Sequence, residues 1–230
     1  MYQYTVNVDE QDFFYCEQEL LLYLSKERRR KIQQYLQEKT KKQSIFAELL
    51  LRYVLKKHYQ LSAEQIQFTY SKYGKPHLAK NSNIHFSLSH SGSWVVCAVG
   101  NMPIGVDIEE IKHRSILLDP GIYSPGEIRR LEKLPQQERI DKGIWIWTLK
   151  ESYIKNIGAG LHFPLRSIQF IKQDSIIRLC LDQRLKFGYQ FQSLKFAGNY
   201  YLTSCIKDQG YFMKYTFTKT VSLAQILKEI

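Results

Sequence analysis

Two short stretches hold the residues best suited to chemistry in this chain. In residues 104–110, Ile104, Val106 and Ile108 alternate with Gly105, Asp107 and Glu109, the period of a strand, so both acids project from one face. Two carboxylates at i and i+2 repel each other unless water solvates them, a proton sits between them or a divalent cation neutralises them. In residues 147–161, Trp147, Glu151 and Lys155 fall at i, i+4 and i+8, which stacks them along one helical face. An acid and an ammonium on neighbouring turns can serve one phosphate. The lysine meets an anionic oxygen while the glutamate completes the coordination of a hard, oxygen-seeking ion such as Mg²⁺. Each feature also has an ordinary reading, as a solvated acidic face or as a surface ion pair worth about 0.3 kcal/mol. Weight is added by the apolar strand opening after Pro103, and by Gly158, Ala159 and Gly160 at the helix end, where backbone can approach a ligand closely.

Three further groups suit an anion. Tyr73-Gly74-Lys75-Pro76 sets an ammonium and backbone N–H groups in a tight turn, although a plain surface turn has the same composition. Ser87, Ser89, His90, Ser91 and Ser93 gather donors around Gly92 at a strand end, where a protonated histidine binds phosphate or a neutral one simply satisfies the loop. Arg28, Arg29, Arg30 and Lys31 begin an amphipathic helix, where a solvated charged face is slightly favoured over a phosphate-binding one.

The elements that must position these residues follow from periodicity. A strand is expected at 2–8, helices at 26–37 and 41–59, and strands at 68–70, 84–89 and 94–99, with the acidic strand opening after Pro103. Loop and short helix follow over 112–141, where Ser124-Pro125-Gly126-Glu127 supplies an N-cap, a proline at N1 and a glutamate at N3. Next come a helix at 143–157, strands at 167–172, 175–181, 187–196 and 200–206, and a terminal helix at 223–229. Helices then strands, twice over, predict an α+β chain of two similar halves, 1–103 and 104–230 with the tail, packed as one unit.

The chain's 230 residues and 44% apolar content suit a globular protein with a substantial core. A formal charge of +11 points to an anionic partner: nucleic acid, a phosphorylated cofactor or an acidic protein. The acidic N-terminal region lacks a signal-peptide pattern and no stretch reaches membrane-span length, so a cytoplasmic protein is expected. Cys16, Cys97, Cys180 and Cys205 are scattered without zinc spacing and read as free thiols.

In order and spacing, the segments YGKP, FSLSHSG, IGVDIEE and WTLKESYIKNIGAGL resemble the signature segments of the 4′-phosphopantetheinyl transferases, in particular the larger surfactin-synthetase-activating type. The resemblance implies a monomer of two pseudo-symmetric α/β halves with the active site at their interface. It also implies transfer of the phosphopantetheine arm of coenzyme A, the co-substrate, to a serine of an acidic carrier protein, with release of adenosine 3′,5′-bisphosphate. Asp107, Glu109 and Glu151 would hold Mg²⁺, or Mn²⁺, on the pyrophosphate. Lys155 would stabilise the leaving diphosphate, and Glu151 is the candidate base. Tyr73, Gly74, Lys75 and Pro76 would line the adenine and ribose end, with Ser89 and His90 near the 3′-phosphate and Arg28, Lys31 and Ser44 as added phosphate contacts. Trp147 would support the helix, Lys112 belongs to the carrier-docking region, and Glu127 supports the site. Gln43 and Arg28 stand where many relatives carry other side chains.

Peptidyl carrier domains of nonribosomal peptide synthetases are the expected acceptors, with fatty-acid or polyketide acyl carriers as the alternative. Neither nucleic acid nor a membrane is an expected partner. A basic nucleic-acid-binding module is the rival of another class, though no RNP-type or helix-turn-helix signature is present. An inactive carrier-binding relative would not need all three acids and Lys155.

Overall fold

The computed structural model describes residues 1–10, 17–112, 117–207 and 218–230. The chain opens with strand β1 (Tyr2–Asn7), then helices α1 (Glu17–Leu22), α2 (Lys26–Gln34) and α3 (Glu38–Tyr59). Strands β2 (Phe68–Tyr70), β3 (Pro76–Leu78), β4 (His85–Ser91), β5 (Trp94–Gly100) and β6 (Ile104–Glu110) precede helices α4 (Pro125–Glu132) and α5 (Gln136–Ile157). The remainder is strands β7 (Ile168–Gln173), β8 (Ile176–Leu181), β9 (Arg184–Lys186), β10 (Tyr189–Phe196), β11 (Tyr200–Lys207) and β12 (Thr218–Thr220), and helix α6 (Leu223–Glu229). The mixed α and β content agrees with the α+β expectation.

Two compact units are formed, one from Met1–Tyr70, Pro76–Asn101 and Thr216–Ile230, the other from Ser71–Lys75 and Met102–Tyr215. The tail was expected with the second half. Instead β12 pairs in parallel with β1, and Val221, Leu223 and Ile226 are buried in the first unit's core. A Thr-Lys-Thr strand has no apolar alternation to announce it, which is why its pairing was not legible.

In the first unit the sheet order is β12-β1-β5-β4, with β5 antiparallel to both β1 and β4. Helix α3 is buried at every residue from Gln43 to Leu55, so it shows no polar stripe there. Burying charged groups in such a helix requires pairing, and Glu48 and Arg52, one turn apart, pair at 2.8 Å. The helix ends where Gln60 turns left-handed at φ 56°.

In the second unit the sheet order is β10-β11-β6, all antiparallel. Its long helix, α5, stops at the left-handed Gly158, φ 70°. It begins at Gln136, seven residues before the expected start at Gly143. Gly143 lies inside the helix, where an added Cβ would stand 2.4 Å from Leu117 Cδ2, the end of a half-buried side chain that can shift. Ser124 and Glu127 form the expected capping box on α4.

The strand expected at 187–196 is divided: β9 ends at Lys186, and Gly188, at φ 83°, turns the chain before β10. In the β7-β8-β9 meander, one face buries Ile168, Ile177 and Leu179. The pleat turns Ile171, Ile176 and Leu185 to the other face, where they are exposed, as is the neighbouring Phe187 at 78%.

Candidate functional site

The acid-bearing strand and the glutamate-bearing helix lie against each other because one position between them has no side chain. A Cβ on Gly105 would meet Ser152 O at 1.9 Å and Asn156 N at 2.5 Å, so the α5 backbone rests directly on β6 there. From that contact the two elements run in opposite directions. Asp107 reaches Lys155, with Nζ 2.7 Å from Oδ1, and Trp147 Nε1 donates to Glu109 Oε1 at 2.9 Å. The strand face and the helical face expected from spacing are therefore the same seam.

Asp107 is 2% exposed, so its carboxylate is not the solvated acidic face that a surface strand would carry. Glu151 feels both acids. Burial, then the charge of Asp107, and to a lesser degree that of Glu109, push its carboxyl up to about 7 against the opposing pull of Lys155. Its Oε1 is buried with no hydrogen-bond partner among the described residues.

Among the described residues no three His, Cys, Asp or Glu side chains form a ready-made metal-holding group. Asp107 is engaged by Lys155 and Glu109 by Trp147 instead. The donor set nevertheless fits a hard divalent cation. It is all carboxylate oxygen, its repulsion already raises Glu151, and Glu151 Oε1 is an acceptor lacking a donor.

Lys75, expected at the adenine and ribose end, meets backbone in this structure. Its Nζ donates to the backbone carbonyls of Lys155, Asn156 and Ile104. Burial lowers its pKa to about 8. The turn is closed by Ser71 N to Lys75 O and Gly74 N to Ser71 O, both 2.9 Å, with Gly74 at φ 80°. Tyr73, 46% exposed, stacks obliquely on His162 with ring centroids 5.2 Å apart. Pro76 opens β3 in the first unit.

A second group forms within the first unit. Arg28 donates from one terminal nitrogen to Ser44 Oγ at 3.2 Å and from Nε to Glu48 at 3.4 Å, so two of the expected phosphate contacts are neighbours. Lys31 pairs with Glu27 at 3.5 Å and lies 4.8 Å from the centre of the Tyr70 ring. Ser89 is buried and His90 exposed on β4. Gln43 donates to Gly92 O at 2.9 Å and ties α3 to the turn after Ser89 and His90.

Four residues not singled out as partners organise these groups. Gly105 sets the seam, and Glu48 accepts from Ser25, Arg28 and Arg52. Asn156 Nδ2 donates to Pro103 O and Cys205 O at 2.7 and 2.9 Å. Lys150, fully buried, donates to Glu127 at 2.8 Å. Helical charges of this kind look like surface residues until the packing is known. Only Gly105, inside an apolar strand, offered a signal, since glycine there marks close backbone approach. Lys112, beside the expected docking loop, pairs with Glu110. Residues 113–116 of that loop, Cys16, and 210–217 of the tail lie outside the described residues, while Cys97, Cys180 and Cys205 are free and buried as expected.

Comparison with known proteins bears on the family of the chain. Residues 103–205 match the 4′-phosphopantetheinyl transferase superfamily and residues 16–101 the N-terminal region of 4′-phosphopantetheinyl transferases. A 4′-phosphopantetheinyl transferase of Bacillus subtilis is 34% identical over 158 residues, 69% of this chain and 70% of that protein. The transferase Sfp of B. subtilis strain 168 is 35% identical over 63% of this chain and 65% of its own length. The transferase gsp of Aneurinibacillus migulanus is 36% identical over 66% and 63%. The chain thus spans slightly less than two thirds of the length of the last two. A crystal structure of Thermotoga maritima holo-[acyl-carrier-protein] synthase overlaps 46% of this chain and 63% of that one with a TM-score of 0.37 and 16% identity, too little to weigh. With both family regions matched in order and more than two thirds of the first transferase aligned, this chain belongs to the 4′-phosphopantetheinyl transferase superfamily.

Proposed function

We propose that this transferase moves the 4′-phosphopantetheine arm of coenzyme A onto a serine hydroxyl of acidic peptidyl carrier domains of nonribosomal peptide synthetases. The serine oxygen bonds to the β-phosphorus, the pyrophosphate bridge breaks, and adenosine 3′,5′-bisphosphate leaves. The seam of Asp107, Glu109, Glu151 and Lys155 is the observation that carries this reading. Phosphoryl transfer asks a protein to position groups and neutralise charge, and that seam offers acids and a cation without a covalent nucleophile.

Asp107, Glu109 and Glu151 would hold a divalent cation, Mg²⁺ in our reading, whose chemistry is to neutralise the pyrophosphate. Lys155 supplies positive charge to the departing phosphate. Glu151 is our candidate to accept the serine proton. Arg28, Lys31, Ser44, Ser89 and His90 take the 3′-phosphate end of coenzyme A, and Tyr73, Gly74 and Pro76 its adenine and ribose. Lys75 lines the same adenine and ribose end with its stem and backbone, while its ammonium meets backbone carbonyls. Free, buried Cys97, Cys180 and Cys205 suit a reducing compartment and support a cytoplasmic enzyme. A monomer is proposed from the likeness to the two-half type.

The decisive experiment is the intact mass of an apo peptidyl carrier after incubation with the protein, coenzyme A and Mg²⁺, with a chelator control and an acyl carrier in parallel. A chelator-sensitive gain of one phosphopantetheine on the peptidyl carrier is expected. Faster gain on the acyl carrier would reassign the acceptor class, and no gain on either would overturn the reading.

A further inference from the structure

We propose that Lys75 is a positioning residue for the transfer: its ammonium clamps the last carbonyls of α5 to β6 and thereby fixes the backbone from which Lys155 reaches Asp107. This inference rests on the transferase reading above. A helix leaves its final carbonyls without intrahelical donors, and a cation there also meets the negative end of the helix dipole. In α5 the left-handed Gly158 returns its N–H to Ile154 O at 2.8 Å, while Lys155 O and Asn156 O are taken by Lys75 Nζ. The third carbonyl, Ile104 O at 3.3 Å, lies on β6 three residues before Asp107.

Three donors on an ammonium therefore meet three carbonyls, which commits the head group to backbone. The stem is fitted as well. A Cβ on Gly158 would stand 3.1 Å from Lys75 Cδ, so the glycine that ends the helix also leaves room for the lysine. Asn156 binds the same helix end to Pro103 O and Cys205 O from its other side. One turn, one helix end and one strand are joined at the position that carries Lys155, whose own ammonium is 2.7 Å from Asp107.

Two measurements test the clamp. In the wild-type protein, timed acetylation with peptide mapping should find Lys75 slower than the exposed Lys72, with and without coenzyme A. Reaction at the rate of Lys72, with protection only by coenzyme A, would overturn the proposal in favour of a phosphate ligand. In single-turnover assays, Lys75→Met keeps the stem and removes the donors, and kcat should fall about tenfold or more, as misplacement of a reacting group does. The ratio of KM for coenzyme A to KM for 3′-dephospho-coenzyme A should not move. In a Lys155→Met background the same change should cost less than about twofold, because one residue acts through the other. Full additivity, or a changed KM ratio at constant kcat, would overturn it. Labelling needs neither turnover nor a folded variant, so it reads the clamp even if the wild type modifies no carrier, an outcome that would instead sink the transferase reading.

Discussion

At the scale of single residues, the acids and the lysine of the seam are expected to matter for turnover far more than for folding. Asp107→Asn and Lys155→Met should each lower carrier modification by about a hundredfold or more while circular dichroism stays unchanged, since they remove charge aimed at the reacting phosphate. Glu127→Ala has the opposite profile. It leaves the fully buried ammonium of Lys150 with the carbonyls of Ile122 and Leu165 but no carboxylate, and should cost about 3 kcal/mol in urea unfolding, as breaking buried pairs does. Lys75 adds a pH signature: burial lowers its pKa, and among the described residues the buried Cys205 thiol is the ionisable neighbour that opposes this. The unfolded lysine keeps its proton up to its ordinary 10.5, whereas the folded one releases it near 8. Between those values the unfolded chain binds more protons, so this residue's contribution to stability rises with pH, by at most about 3 kcal/mol. Unfolding free energies from pH 7 to 10 should show that rise in the wild type and lose it in Lys75→Met. The acids were legible because their spacing defines faces. The direction of Lys75 was not, because a turn sequence states where backbone bends and says nothing about which helix end the side chain meets.

At the scale of elements, the close approach of α5 to β6 is what converts two ordinary motifs into one seam. Gly105→Ala puts a methyl where Ser152 O stands, and helix backbone cannot step aside as a flexible side chain would. A loss of about 3 kcal/mol or more is expected on chemical denaturation, together with loss of transfer. Most strands and both long helices could be read from apolar period, because α3, β5 and β6 bury what their sequences alternate or concentrate. The early start of α5 could not, since Gly143 reads as a breaker and the seven residues before it include one apolar side chain, Ile140. Short α1, β9 and β12 carry too few residues for a period to show.

At the scale of the molecule, a formal charge of +11 was legible from composition alone, and it bears on encounter rather than on fold. For an acidic carrier, kcat/KM should fall several-fold from low to physiological salt through KM, with kcat little changed, which steady-state assays at varied ionic strength would read. The division of the chain was less legible, since a terminal strand can join any open sheet edge and this one joined β1. The bare face of the β7-β8-β9 meander bears on how the protein behaves as a colloid. Like charge holds copies apart while counterions are scarce, but added salt shields that charge and leaves Ile171, Ile176, Leu185 and Phe187 as sticky as before. Kosmotropic salts such as ammonium sulfate should therefore precipitate this enzyme early in a fractionation, and replacing Phe187 with serine should move its salting-out point upward.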